Sequence, residues 1–283
     1  MATLVTAPPA SILRTLNPFA LASNLWHNRD LLGQFARREI EGRYRGSFLG
    51  MFWSFINPLL LLSIYTFVFG VVFRARWPAS RATNLQEYAL VLFCGITIFS
   101  IFGECMNRAP VLIVGVPNYV KKVVFPLEML PVAVLAAALF HALVSLVILL
   151  TANLLIVGAI HWTLILLPIV ALPLIFLCLG MTWFLASLGV FVRDSNYVIG
   201  LLVQMLFFTS AIFYAPESIP EPFRSLQAFN PMVSIVENFR RIVLWGTLPT
   251  WAELALWLPI TGLIMVLGYA FFMKTKKAFA DVI

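Results

Sequence analysis

Apolar and polar positions divide this chain into long apolar runs joined by short polar connections. Residues 50–73 contain no Asp, Glu, Lys or Arg. A bilayer-crossing helix needs about 20 apolar residues, so this run is read as span 1. Residues 88–103, bounded by Glu87 and Glu104, form a shorter span 2. Between Met129 and Val192 no residue is formally charged, which is too long for one crossing. Gly158 and the pair His161-Trp162 mark the turn, with the tryptophan at the membrane interface. Spans 3 and 4 are thus expected at about 130–157 and 163–191, span 5 at 195–214 and span 6 at 254–273. The pattern predicts an all-α membrane protein with six transmembrane helices.

The polar connections carry patterns of their own. Residues 31–47 mix Arg and Glu with Leu31, Leu32, Phe35, Ile40 and Tyr44, which predicts an N-terminal helix lying along the cytoplasmic face. Its Arg37, Arg38, Arg43 and Arg45 suit either anionic headgroups or a docking partner. Residues 107–130 hold Pro110, Pro117 and Pro126; each removes a backbone donor, so a broken cytoplasmic elbow is expected. Arg193-Asp194 is a tight polar turn between spans 4 and 5. In the outer segment 215–251, Asn230 is placed to cap a helix opened by Pro231. Met232, Ile235, Val236, Phe239, Ile242 and Val243 share one face of it. Ser234, Glu237, Asn238, Arg240 and Arg241 fall elsewhere, with Glu237 and Arg241 spaced to pair. Gly246 ends the helix. With the proline-opened piece 219–229 it predicts an outer re-entrant helical hairpin between spans 5 and 6. Irregular backbone at membrane depth needs shelter by protein or water, so the hairpin reads as a pore mouth.

Composition agrees with lipid as the solvent: 61% of the 283 residues are hydrophobic and 11% charged, against about 25% charged in soluble domains. The net charge of +7 is accounted for by topology. With the N-terminus inside, thirteen basic residues face the cytoplasm and six face outward, so both termini are expected to be cytoplasmic, and no nucleic acid is implied. Residues 1–30 read as a cytoplasmic tail and not as a secretory signal; residues 31–283 read as one membrane domain. Cys94, Cys105 and Cys178 lie in or beside apolar runs and imply no disulfide framework.

A search for chemistry finds no P-loop; the chain has no Gly-Lys pair at all, so it does not bind ATP in that way. Neither a nucleophile elbow nor a zinc-protease motif occurs, and no metal site is expected. The predicted span interiors lack Asp, Glu, Lys and Arg, which disfavours an ion-coupled carrier. His141 is the titratable group deep in a span, read as a packing hydrogen bond or a proton relay. Energy is therefore expected from another chain. Aromatic residues make up 14% of the chain, for bilayer packing or as rings on which sugar faces slide. Phe207, Phe208, Phe213 and Tyr214 cluster near the suspected mouth, and Asn57, Tyr65 and Gln204 are polar handles within spans 1 and 5.

Four motifs in order resemble one family. Residues 38–50, running on through Trp53 and Asn57-Pro58, resemble the entry to span 1 of type-2 ABC permeases for polysaccharide export. Residues 118–126, then Leu130-Pro131, are similar to their cytoplasmic elbow. Phe191-Val192-Arg193-Asp194 with Phe213-Tyr214 resembles their span 4–5 junction and span 5 exit, and Asn230-Pro231 with Gly246 their outer hairpin. Leu127 and Ala211 depart from the pattern, where a basic residue and a proline are common. The resemblance implies a homodimer with a continuous channel in the bacterial inner membrane. It also implies two separate ABC ATPase subunits holding ATP and Mg, and an undecaprenyl-diphosphate-linked polysaccharide such as O-antigen. By that likeness Arg37, Arg38, Glu39, Arg43, Tyr44, Arg193 and Asp194 couple to the ATPase. Arg45, Asn118, Lys121 and Lys122 lie near the inner mouth. Asn57, Tyr65, Gln204, Phe207, Phe208, Phe213 and Tyr214 line the path. Export of capsule, teichoic acid, or a small amphiphile or drug shares the same pattern. A membrane-embedded glycan transferase is opposed by the scarcity of acidic residues.

Overall fold

The computed structural model describes residue 23 and residues 26–74, 77, 82, 84–121 and 126–283. Most of the expected tail, together with Arg76, Arg81 and Lys122, lies outside the described residues. Among the described residues every regular element is helical. The helices are α1 (Arg29–Tyr44), α2 (Trp53–Tyr65), α3 (Leu85–Leu112), α4 (Pro117–Lys121), α5 (Met129–Ile156), α6 (Leu167–Phe191), α7 (Ser195–Thr209), α8 (Glu221–Ala228), α9 (Pro231–Val243), α10 (Trp251–Thr275) and α11 (Phe279–Val282). A 3₁₀ turn at Gly50–Phe52 and a π-helical stretch at Thr66–Val72 extend α2 at its two ends. A further 3₁₀ turn, Trp162–Leu166, leads into α6.

Five helices are long and apolar enough to cross a bilayer: Gly50–Val72, Leu85–Leu112, Met129–Ile156, Trp162–Phe191 and Trp251–Val282. They correspond to predicted spans 1, 2, 3, 4 and 6. Predicted span 5 differs. Its helix α7 has 15 residues, or about 22 Å at 1.5 Å per residue, short of a hydrocarbon core of about 30 Å. It stops because Ala211 takes a left-handed conformation, φ 52°, and turns the chain toward α8.

Span 2 differs in the opposite sense. It does not end at Glu104 but runs on as one helix of 28 residues through Glu104, Arg108 and Pro110. The reading that span interiors lack Asp, Glu, Lys and Arg is therefore corrected for this helix. A carboxylate resembles a span boundary in sequence, but here its charge is met by Arg43 of α1. The broken elbow begins accordingly later, at the short helix α4. Asn84 opens α3, its side chain accepting from the Glu87 amide at 2.8 Å.

Helix α3 is the hub: 83% of its most apolar stretch is buried within the chain, against α5, α6, α7 and α9. Close backbone approach makes the rest of the bundle. Gly180 of α6 lies against the Ile264 and Met265 backbone of α10, and Gly268 of α10 lies against the Gly180 carbonyl. Gly189 of α6 rests on the Pro110 backbone of α3. Small residues let helices approach where lipid offers no hydrophobic drive for association. Lys276 donates to Glu128 at 2.6 Å, and the Trp183 indole donates to the Glu128 carbonyl at 3.0 Å, tying the start of α5 to α6 and to the end of α10. By contrast, only 6% of the apolar stretch Gly50–Val72 is buried, and α7 leaves Tyr197, Leu201, Leu202, Met205 and Phe208 exposed.

Candidate functional site

Two adjoining regions along α3, which share Phe207, gather the residues singled out in the sequence. The first is a cavity of about 1800 Å³ between α1, α3 and α7. Helix α1 rests on α5, with Phe35 edge-on to Tyr119 of α4 and Tyr44 edge-on to His141 of α5. From there it faces α3 across the cavity. Arg43 Nη1 meets Glu104 Oε2 at 2.6 Å, and Arg108 Nε meets Glu39 Oε1 at 2.6 Å. The two helices are thus joined by two ion pairs in reverse order, 39 with 108 and 43 with 104.

His141 sits beside the inner of these pairs. Its Nδ1 stands 3.1 Å from Arg43 Nη1 and 3.2 Å from the Glu104 carboxylate. It accepts from Arg43 in one tautomer and donates to Glu104 in the other. Its Nε2 is buried without a partner among the described residues. The histidine thus joins α5 to α3 at the Arg43–Glu104 pair, an interhelical hydrogen bond of the packing kind. Burial pushes the Tyr44 phenol above its ordinary range, with Arg43 acting against the shift.

The other predicted residues of this region separate into groups. Arg38 donates to the Tyr119 hydroxyl at 3.1 Å, and Arg37 pairs with Glu41 at 2.7 Å on the exposed face of α1. Arg45 lines the cavity and is exposed. Asn118 and Lys121 belong to α4. Arg193 and Asp194 are exposed at the α6–α7 turn, and the Asp194 side chain makes no cap bond to α7. Gln204 and Phe207 of α7 reach the cavity wall beside Phe99 and Gly103 of α3.

The second region is an aromatic cluster where α2 and its π-helical stretch meet α7. Tyr65 lies 5.8 Å from Phe207 and 5.3 Å from Phe213, and Phe69 stacks on Phe213 at 4.3 Å. Phe207, Phe208 and Phe213 are mutually in contact. Phe213 is buried at the centre and Phe208 lies at the edge. The Tyr214 hydroxyl donates to the Phe208 carbonyl and receives the Gln227 amide. Asn57 is exposed on α2.

Around this cluster the expected cap is present: Asn230 Oδ1 accepts from the Met232 amide at 3.0 Å, and Gly246, at φ 62°, packs against His161. All six apolar residues assigned to one face of α9 are buried. Three assignments on that helix are corrected. Arg240 was expected off the buried face but is completely buried. It donates to the carbonyls of Val91, Ala211 and Ile212 at 3.2, 2.9 and 2.9 Å and lies over the Trp77 ring. It is also Arg240, at 3.7 Å, that faces Glu237, whereas Arg241 donates to the Leu248 carbonyl. The carbonyls freed where α7 breaks off at Ala211 need a donor, and Arg240 is long enough to supply three. Asn238 is buried too, joining α9 to Glu253 and the Thr250 amide.

Sequence reasoning missed Glu104, Arg108 and Arg240. A signal for the first two was present. Glu39 and Arg43 repeat the acid-then-base spacing of Glu104 and Arg108, so two helices running in opposite directions match charges. Among the described residues no cluster of His, Cys, Asp and Glu suits a metal ion.

Residues 31–244 match the family described as ABC-2 type transporter. The O-antigen export system permease protein RfbA of Myxococcus xanthus is 29% identical over 92% of this chain and 98% of its own length. Its counterpart in Klebsiella pneumoniae is 29% identical over 92% and 97%. The polysialic acid transport protein KpsM of Escherichia coli is 24% identical over 85% of this chain and 92% of its own.

Proposed function

The chain belongs to the ABC-2 type transporter family, and we propose that it is the membrane permease of an ATP-driven exporter for a lipid-linked surface polysaccharide, O-antigen in the first instance. The observation that carries this reading is the end-to-end similarity, over 92% of the chain, to permeases named for O-antigen export. The described geometry supports it. Among the apolar helices, α2 and α7 bury the fewest residues within the chain; they carry the aromatic cluster, and one wall of the cavity is formed by α7. A second copy packed along these apolar faces would enclose a path between them, with aromatic planes against which sugar rings slide.

In this reading both termini face the cytoplasm of a bacterial cell and the chain sits in the inner membrane. The energy comes from two copies of a separate ATPase subunit that hold ATP and Mg. The exposed side of α1, with Arg37, Arg38 and Glu41, and the Arg193-Asp194 turn receive that subunit. Helices α8 and α9 form the outer re-entrant hairpin. The diphosphate of an undecaprenyl carrier is drawn toward the arginines of the cavity, because charge-assisted bonds are strong in a partly dry site. Arg45 is the foremost of these, since Arg43 and Arg108 are engaged by carboxylates.

Deleting the gene tests this function. The expected result is loss of the surface polysaccharide with its lipid-linked form retained inside the cell, reversed by the intact gene. Loss of a capsular glycan in place of O-antigen favours the second reading, supported by the similarity to the polysialic acid protein. Unchanged surface glycan with new sensitivity to a drug overturns both and points to a small amphiphile.

A further inference from the structure

Helix α3 carries a charged joint toward each end, and the two joints engage different helices of the bundle, α1 and α9. At one end Glu104 and Arg108 hold Arg43 and Glu39 of α1 across a cavity, by side chains and not by close helix packing. At the other end the Val91 carbonyl of α3 accepts from Arg240 of α9, and Gly95 provides the space in which that guanidinium lies. From Glu104 to Val91 is about 20 Å of continuous helix. Nearly all of it is buried, so it moves as one body.

We propose that α3 is a strut that joins the surface helix α1 to the outer helix α9, with Glu39, Arg43, Glu104 and Arg108 as the positioning residues of its inner joint and Arg240 of its outer one. A push on α1 reaches α3 through the two reciprocal ion pairs. The displacement of α3 then changes the bonds that Arg240 makes to Ala211 and Ile212, where α7 breaks off beside the aromatic cluster. A salt bridge that merely decorated the surface would have no such consequence, and one pair would suffice. Two pairs of opposite polarity also fix the register of α1, because a shift by one turn sets like charges together. The role in transport rests on the function proposed above; the mechanical link does not.

The test uses the full chain in detergent and in cells, with Glu39→Arg, Arg108→Glu and the double swap carrying both. Each single change sets like charges face to face, and the double restores attraction with reversed polarity. Amide hydrogen exchange across residues 231–243 is expected to quicken about tenfold in each single variant, within the coupling range of a shared charged network. The double swap is expected to return it to near the wild-type rate. Surface-glycan export follows the same order, down about tenfold and then recovered. If a single variant fails to accumulate, Glu39→Gln with Arg108→Gln removes the attraction without repulsion and is expected to give the faster exchange. Unchanged exchange in α9, or a double swap no better than the singles, overturns the strut. A wild-type chain that exports no glycan overturns the transport reading and leaves the exchange result to decide the link.

Discussion

Replacing Arg240 by Met removes a guanidinium while keeping much of its apolar bulk. The side chain is completely buried and supplies donors to three carbonyls, those of Val91, Ala211 and Ile212. It also faces the Glu237 carboxylate at 3.7 Å and covers the Trp77 ring. A buried acceptor left without its donor costs about 1–3 kcal/mol. Removing one partner of a buried charged set costs about 3–5 kcal/mol. The carbonyls at the Ala211 turn lie at the end of α7, where local rearrangement recovers part of the loss, so about 4 kcal/mol is expected. That is a large share of the roughly 5–15 kcal/mol by which folded domains exceed their unfolded state. In thermal unfolding of the detergent-purified chain it corresponds to a midpoint lower by about 10 °C. Arg240→Lys keeps the charge but places one ammonium where a planar fork reached three acceptors, so it is expected to fall between Met and wild type. A Met variant melting within about 2 °C of wild type, or a Lys variant indistinguishable from it, refutes the view that Arg240 secures the α7 break.

Other expectations follow from the same packing. Gly189→Val drives a Cβ and its two methyl groups into the Pro110 backbone of α3 and should cost about 3 kcal/mol or more, read as a lower midpoint in the same melt. Asn230→Ala loses the bond to the Met232 amide and the one donated to Ser210 Oγ, for about 1 kcal/mol, visible as faster amide exchange at the start of α9. Arg45→Ala leaves the fold intact, since the side chain is exposed at the cavity, and should lower surface-glycan export about threefold through weaker attraction of the anionic carrier; equal export counts against that attraction.

The long apolar runs gave α5 to within one residue and α6 and α10 to within four, because lipid-facing helices need only hydrophobicity and length to declare themselves. The Asn230-Pro231 start and Gly246 end of α9 were legible because caps are local chemistry. What escaped was non-local. Glu104 looked like a boundary because its partners, Arg43 and His141, are 61 and 37 residues away in sequence. Arg240 fell off the apolar face in sequence because its acceptors are backbone carbonyls, two of them at the left-handed Ala211 turn and one on α3, and no sequence pattern marks those. The length of α7 was overestimated for the same reason: the apolar run continues past the point at which the backbone turns.

The proposed function makes this chain a conduit driven by a nucleotide-hydrolysing subunit other than itself. The direct measurement is transfer of a lipid-linked polysaccharide across proteoliposomes holding the chain with an ABC ATPase subunit that co-purifies with it, the chain alone, or the ATPase alone. The expected result is ATP-dependent appearance of glycan in the lumen only when both are present, with no hydrolysis by the chain alone. Hydrolysis by the isolated chain, or no transfer by an assembled and ATP-hydrolysing complex, contradicts it.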